Sequence, residues 1–288
     1  MERVRKHRNE IYDQPKMGIE KYNIRRDGDN LITHFKELYS YRQLIWTIAY
    51  GDFRARYKNS IMGYFWSLLE PLLMLTVLWL VFTNLMKLQV EYYQLFLLLG
   101  IIMWNFYCKA TNFGLNAIIG KPGLVQKVFF PRDILVISGC ITATLMSLFE
   151  SLVFIIFFII IWVPLSWNIL YLPLILAIFF IFALGSSFLL AALNVYYRDI
   201  QFIWTVVLQA GFFITPILYP LSIFSPTIQS IIRLNPIAQI IVIARDVVLY
   251  SSPPFYLSIL YAGVASIIML IVGYSIFIKL EPRFAEVM

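Results

Sequence analysis

The residues able to do chemistry are few, and most sit where polar groups are costly. Asn105, Lys109, Asn112 and Asn116 recur at i, i+4, i+7 and i+11 within a long apolar run, which puts them on one stripe of a helix. Such a stripe does not face lipid cheaply, so it calls for other helices or a wet cavity beside it. The next apolar run carries Thr144, Ser147, Glu150 and Ser151 on a comparable face. Lys109 and Glu150 are candidates for an ion pair, although their depths, counted from the ends of their runs, do not match closely. A structural pair or a cavity lining is favoured over a proton relay, because no further chain of Asp, Glu or His continues from them. An ion-coupled secondary transporter or channel using Lys109 and Glu150 is kept as the alternative function.

Other chemistry is missing. The two histidines, His7 and His34, both precede the apolar runs, and Cys108 and Cys140 lie inside such runs with no Cys/His cluster around them. Neither a disulfide nor a metal site is expected. No G-x-x-x-x-G-K-[ST] phosphate loop occurs, and Gly120-Lys121-Pro122 does not substitute for one. No nucleophile-and-base arrangement stands out. The expectation is a chain that is not an enzyme and binds no cofactor, with any energy entering from outside it.

The elements that must position these residues are membrane helices. The chain is 60% hydrophobic and 14% charged, with a mean hydropathy of +0.77, far from the mix of a soluble domain. Of its 23 Lys and Arg, 13 fall in the first 58 residues, against eight acids there. Positive charge beside apolar spans is a cytoplasmic-side signature, which accounts for the net +7 better than a nucleic-acid partner does. A span needs about 20 apolar residues. Five runs meet that length, 61–86, 92–119, 134–163, 169–194 and 255–278, and the shorter 201–219 makes a sixth.

The expected fold is therefore all-α and integral to the membrane, with six transmembrane helices. Residues 1–30 read as a charged cytoplasmic tail with no apolar core, so no cleavable signal peptide is expected there. Residues 31–58 read as an amphipathic interface helix and the lead-in to the first span, with Leu31, Phe35, Leu38, Ile45 and Ile48 near helical spacing and Arg42 on another side. Residues 59–288 form the transmembrane domain. Within it, 220–254 holds two apolar pieces broken by Pro226 and by Asn235-Pro236, too short to cross and suited to a re-entrant external hairpin. With both termini cytoplasmic, inner segments carry 19 Lys and Arg and outer segments three, which fixes the orientation expected.

Two stretches hold the rest of the information. From Arg54 to Pro71 a basic arm meets the first span, with Tyr64, Phe65 and Trp66 at interface depth, where aromatic rings are favoured. The internal loop 120–133 reads G-K-P-G-L-V-Q-K-V-F-F-P-R-D. Here Pro122 and Gly123 end one helix, Leu124 to Phe130 suit a short one, and Pro131 restarts the chain. Exposed Phe129 and Phe130 beside Lys127 and Arg132 would fit either insertion into a partner's groove or snorkelling flanks at a membrane surface.

The ordered set R-Y-K-N-S-I-M-G-Y-F-W-S-L-L-E-P, W-N-F at Trp104 to Phe106, K-V-F-F-P-R-D at Lys127 to Asp133, N-V-Y-Y-R-D-I at Asn194 to Ile200, T-P-I-L-Y-P and L-N-P resembles the membrane subunit of bacterial polysaccharide ABC exporters. The resemblance runs from about Leu31 to the end. It implies a permease in the bacterial cytoplasmic membrane that moves lipid-linked O-antigen, capsular polymer or teichoic acid. It further implies a homodimer working with two copies of a separate cytoplasmic ATPase, which would bind the ATP and Mg. Coupling to that ATPase would fall to Phe35, Arg42, Lys127, Phe129, Phe130, Pro131, Arg132, Asp133, Arg198 and Asp199. A path between two copies would be lined from Tyr64, Trp66, Trp79, Phe82, Asn105, Lys109, Trp204, Phe212, Phe213 and Tyr219, whose rings suit sugar stacking. An external gate would involve Pro216, Pro220, Asn235, Pro236 and Arg245.

Overall fold

A computed structural model describes residues 38–58, 62–63, 65–85, 90–127 and 130–284. Phe35, Tyr64 and Phe129, the side chain of Lys127 and the tail 1–30 lie outside the described residues. Ten α-helices follow in order: α1 Arg42–Tyr57, α2 Phe65–Leu85, α3 Tyr93–Asn116, α4 Pro122–Lys127, α5 Asp133–Ile161, α6 Leu172–Tyr196, α7 Ile200–Ile214, α8 Pro226–Arg233, α9 Pro236–Val248 and α10 Tyr256–Leu280. No strand occurs among the described residues. Five of the helical segments are long and apolar enough to cross a membrane: Phe65–Thr83, Tyr93–Asn116, Asp133–Ile161, Trp167–Tyr196 and Tyr256–Arg283.

Helix α7 is the exception to the six-run reading. Its 15 residues extend about 22 Å, short of a hydrocarbon core of about 30 Å. It nevertheless joins the two ends of the bundle. Near its start, Asn194 donates to the Leu115 carbonyl and Tyr196 to the Leu280 carbonyl, each at one end; beyond its finish, the Leu218 carbonyl accepts from Tyr93 at the other. The turn Thr215–Leu218 that follows it is buried throughout.

The core is built around α3, which packs on α2, α5 and α6. Helices α6 and α10 form the closest pair. A Cβ on Gly185 would lie 2.6 Å from the Leu270 Cα, and one on Gly273 would overlap the carbonyl of Gly185, so only hydrogen at both positions lets these backbones touch. Ala183, Ser187 and Ala191 stand four residues apart, a row of small side chains suited to close helix packing, and all three are buried. Ser187 accepts from Cys140 and donates to the carbonyls of Ala110 and Ala183. That row is where α6 meets α3 and α5.

Helix α1 departs from its expected single apolar face. Ala49 and Phe53 are buried, Ile45 and Ile48 half-buried, and Trp46 and Tyr50 exposed. The buried side is spent on α5: Thr142 donates to the Ala49 carbonyl at 3.2 Å, and the Phe53 ring lies 5.4 Å from that of Phe149. Arg42 is exposed beside the Tyr39 ring at 4.6 Å. In the loop, the short helix begins at Pro122 rather than Leu124, because proline at the first helical position forfeits no intrahelical bond.

Candidate functional site

The polar stripe of α3 divides into a closed and an open part. Lys109 pairs with Glu150 across α3 and α5; Glu150 is 0% exposed and Lys109 12%. The depth mismatch counted from the sequence is bridged by side-chain direction. Gly139 of α5 lies against Phe113 of α3, and from that level Glu150 sits about 10 Å further along its axis than Lys109. Side chains on a helix lean toward its N-terminus, so on two antiparallel helices these long side chains lean toward each other. Glu150 keeps one oxygen, Oε2, without a hydrogen-bond partner, as does Ser147 Oγ one turn earlier. Asn112 and Asn116 lie in the open part, exposed, each donating to the carbonyl four residues back. Asn105 is half-buried on the same stripe.

The stripe is flanked by α5 on one side and by α7 on the other. Helix α7 touches α3 through rings and one glycine. Trp204 Nε1 donates to Thr111 Oγ1 at 3.1 Å, Phe212 meets Trp104 edge-on at 6.3 Å, and Gly211 sits beneath the Trp104 ring. The opposite side of α7, with Phe202, Val206 and Phe213, is exposed. Of the other proposed path residues, Trp79 and Phe82 pack on the core from α2, Trp66 is exposed at the start of that helix, and Tyr219 donates to the Phe213 carbonyl at 2.6 Å. The set is thus not one surface. Trp66, Asn105 and Phe213 keep open area, while Lys109, Trp204, Phe212 and Tyr219 hold helices or turns together.

The proposed gate residues gather at the end where α3 begins. Arg245 is buried, and its guanidinium donates to the carbonyls of Phe96, Pro216 and Ile217 while lying 3.4 Å from the centroid of the Phe96 ring. It ties α9 to α3 and to the turn after α7. Three carbonyl dipoles and a ring face compensate a cation that would otherwise be costly to bury. Asn235 caps α9, accepting from Ile237 N, and donates to Thr215. Pro236 opens α9, Pro216 is buried and Pro220 half-buried.

At the opposite end lie the residues assigned to coupling. Phe130 is not exposed as expected but buried, because its ring joins the apolar cluster of Phe188, Phe277 and Phe284; Pro131 and Asp133 are buried and Arg132 half-buried, while Arg198 and Asp199 are exposed after α6. Lys121 pairs with Asp52 of α1, so the interface helix and the loop are joined. The sequence reading missed that pair, and also missed the contact of Arg132 with Glu281, 149 residues away. No spacing signals either one, since both partners look like ordinary charged flanks.

The comparisons with known proteins agree with this architecture. A family model described as ABC-2 type transporter matches residues 43–249. The chain is 32% identical over 248 residues to the O-antigen export system permease protein RfbA of Klebsiella pneumoniae, covering 85% of this chain and 95% of that protein. It is 28% identical over 262 residues to the RfbA permease of Myxococcus xanthus, with 89% and 99% covered. It is 23% identical over 233 residues to the polysialic acid transport protein KpsM of Escherichia coli, with 78% and 89% covered. From α1 to the end of α9, this chain is a member of the ABC-2 type transporter membrane family.

Proposed function

We propose that this chain is the transmembrane subunit of an ATP-driven exporter that moves a lipid-linked polysaccharide or teichoic-acid polymer out of the cytoplasm, along a path between two copies. The open stripe of Asn112 and Asn116 carries this reading. Apolar faces such as that of α7 rest in lipid at no cost, but two exposed asparagines on the last turns of a spanning helix are better served by a polar surface opposite them. A second copy across a two-fold axis supplies such a surface and encloses room for a polymer. The relatives named for O-antigen and polysialic acid export support the substrate class.

In this reading α7 and the turn Thr215–Leu218 make the sixth crossing, and α8 and α9 form the external re-entrant hairpin. The end bearing α1 and the loop 120–133 is cytoplasmic and meets two copies of an ATPase subunit, which binds ATP and Mg. Closure of the ATPase pair displaces the loop and opens the path. Co-purification tests it. The chain is expected to recover an ATPase that carries a phosphate loop, and membrane vesicles containing both are expected to move lipid-linked polymer only with ATP. Recovery of no ATPase, or ATP-independent polymer movement, overturns the proposal.

A further inference from the structure

The segment just after α10 is built into the loop expected to meet the ATPase. Arg132 Nη1 donates to the main-chain carbonyl of Glu281 at 2.6 Å, and its backbone N–H points at Glu281 Oε1 at 3.4 Å. Glu281 is 2% exposed although it lies in a turn at the end of the bundle. The neighbouring Asp133 is 0% exposed, accepts from Ile134 N at 3.0 Å at the start of α5, and faces the Tyr274 hydroxyl of α10 at 3.4 Å. Two buried carboxylates, one on each side of the junction, are costly unless their oxygens are used, and here both are used to join loop to helix.

The same turn also grips α6. Tyr196 donates to the Leu280 carbonyl at 3.0 Å, and the fully buried Phe284 ring lies 5.5 Å from Phe277 and 6.2 Å from Tyr196. Phe130 of the loop belongs to the same apolar cluster. Further along, α10 and α6 touch backbone to backbone at Gly273 and Gly185. Three chain segments therefore converge on residues 280–284, and a displacement of the loop has a packed route into the α6–α10 pair. Along α5 it has a second route, into α3.

We propose that Glu281 is a positioning residue for coupling: it locks the loop Phe130–Asp133 to α10, so that a push on the loop moves α10 and α6 together. This rests on the reading of the loop as the ATPase contact. Removing the lock leaves the ATPase bound but lets the loop move without the helices.

The test uses the chain purified with its ATPase in nanodiscs and supplied with lipid-linked polymer. Glu281→Ala is expected to recover the same amount of ATPase and to hydrolyse ATP at a rate near wild type, while moving about tenfold less polymer per ATP. Glu281→Met, which keeps the size but has no acceptor oxygen for the Arg132 N–H, is expected to lose as much and carries the test if the alanine variant does not fold. Arg283→Ala, exposed on the same turn, is expected to match wild type. Equal polymer per ATP in a folded Glu281→Ala or Glu281→Met variant and wild type overturns the inference. So does a loss of polymer movement that only parallels a loss of folded protein and bound ATPase. Wild-type chain that recovers no ATPase overturns the docking reading and this inference with it.

Discussion

Two helix contacts in this bundle are made in opposite ways. Helix α10 lies on α6 through glycines, with Gly273 against the carbonyl of Gly185 and no side chain between them. Helix α7 lies on α3 through Trp204, Phe212, Trp104 and Tyr107, with ring centroids 6.2 to 6.3 Å apart across the interface. In lipid there is little hydrophobic drive between helices, so close packing and interhelical hydrogen bonds decide what stays together. The glycine contact has one geometry and fails if anything is added. The aromatic contact has slack, because rings slide and re-pack, and a single interhelical side-chain bond spans it. Under the proposed export function, a rigid α6–α10 pair and a loosely held α7 would give the path one moving wall.

The contrast is broken most severely at Gly273. Leucine there has to displace backbone rather than a side chain, at a cost of about 3 kcal/mol or more. Gly273→Leu is therefore expected to lower the Tm of the detergent-solubilised protein by about 10 °C or to abolish folded protein. A thermal melt followed by size-exclusion chromatography reads this directly. A variant with wild-type Tm would show that the α6–α10 contact is not the fixed one.

Next in size is the pair between α3 and α5, which fixes the wall opposite α7. Lys109→Met leaves Glu150 buried without its cation, at a cost of about 3 kcal/mol. Lys109→Met with Glu150→Gln is expected to regain all but about 1 kcal/mol, since no charge is then buried. Polymer export by the double variant near the wild-type rate would exclude the ion-coupled alternative. Its complete loss in a well-folded double variant would restore that alternative.

A smaller effect is expected where the slack lies. Trp204→Phe keeps a ring against Tyr107 but removes the bond to Thr111, a loss of about 1 kcal/mol. Accessibility of a cysteine placed at Leu208, buried on α7, to a water-soluble maleimide is expected to rise in the Trp204→Phe background, reporting α7 leaving α3. Unchanged labelling would place α7 among the rigid elements.

How much of this was legible beforehand follows from the kind of signal each feature leaves. The five long spans were legible because 18 or more apolar residues have few other uses, and the small-residue row Ala183, Ser187 and Ala191 because its spacing is that of a helix face. Which span lies at the centre was not legible. Helix α3 is the least apolar of the five and the most buried, with 78% of its most apolar window inside the bundle against 17% for α2, α5 and α10. The least apolar span thus lies at the centre, closed over most of its length by its neighbours, while Asn112 and Asn116 of its polar stripe stay exposed. The split of α1, with Trp46 and Tyr50 outward and Phe53 inward, depends on where α5 lies. Arg245 was read as an outer charge, but its clamp needs three carbonyls from two distant segments. The contact of Arg132 with Glu281 leaves no local trace either, and both clamps exist only once the bundle closes.

The smallest expected effect on the single chain bears most on the path. Phe202, Val206 and Phe213 fall on one side of α7, opposite the side that holds Trp204 and Gly211, and Phe213 is 65% exposed. Phe213→Ala removes one ring contact within this chain, that with the neighbouring Phe212, so the Tm of the isolated subunit is expected to stay within about 1 °C, as for a surface substitution. If a second copy packs there, Phe202→Ala with Phe213→Ala weakens self-association by about tenfold, the equivalent of 1.4 kcal/mol. Single-molecule photobleaching in bilayers at graded dilution measures that shift. Lipid in place of a second copy would leave both the Tm and the dimer fraction unchanged, because two alanines rest in lipid as readily as two phenylalanines pack against it. The same measurement therefore decides whether α7 is loosely held because it is the edge of the molecule, or because its second set of contacts belongs to another copy.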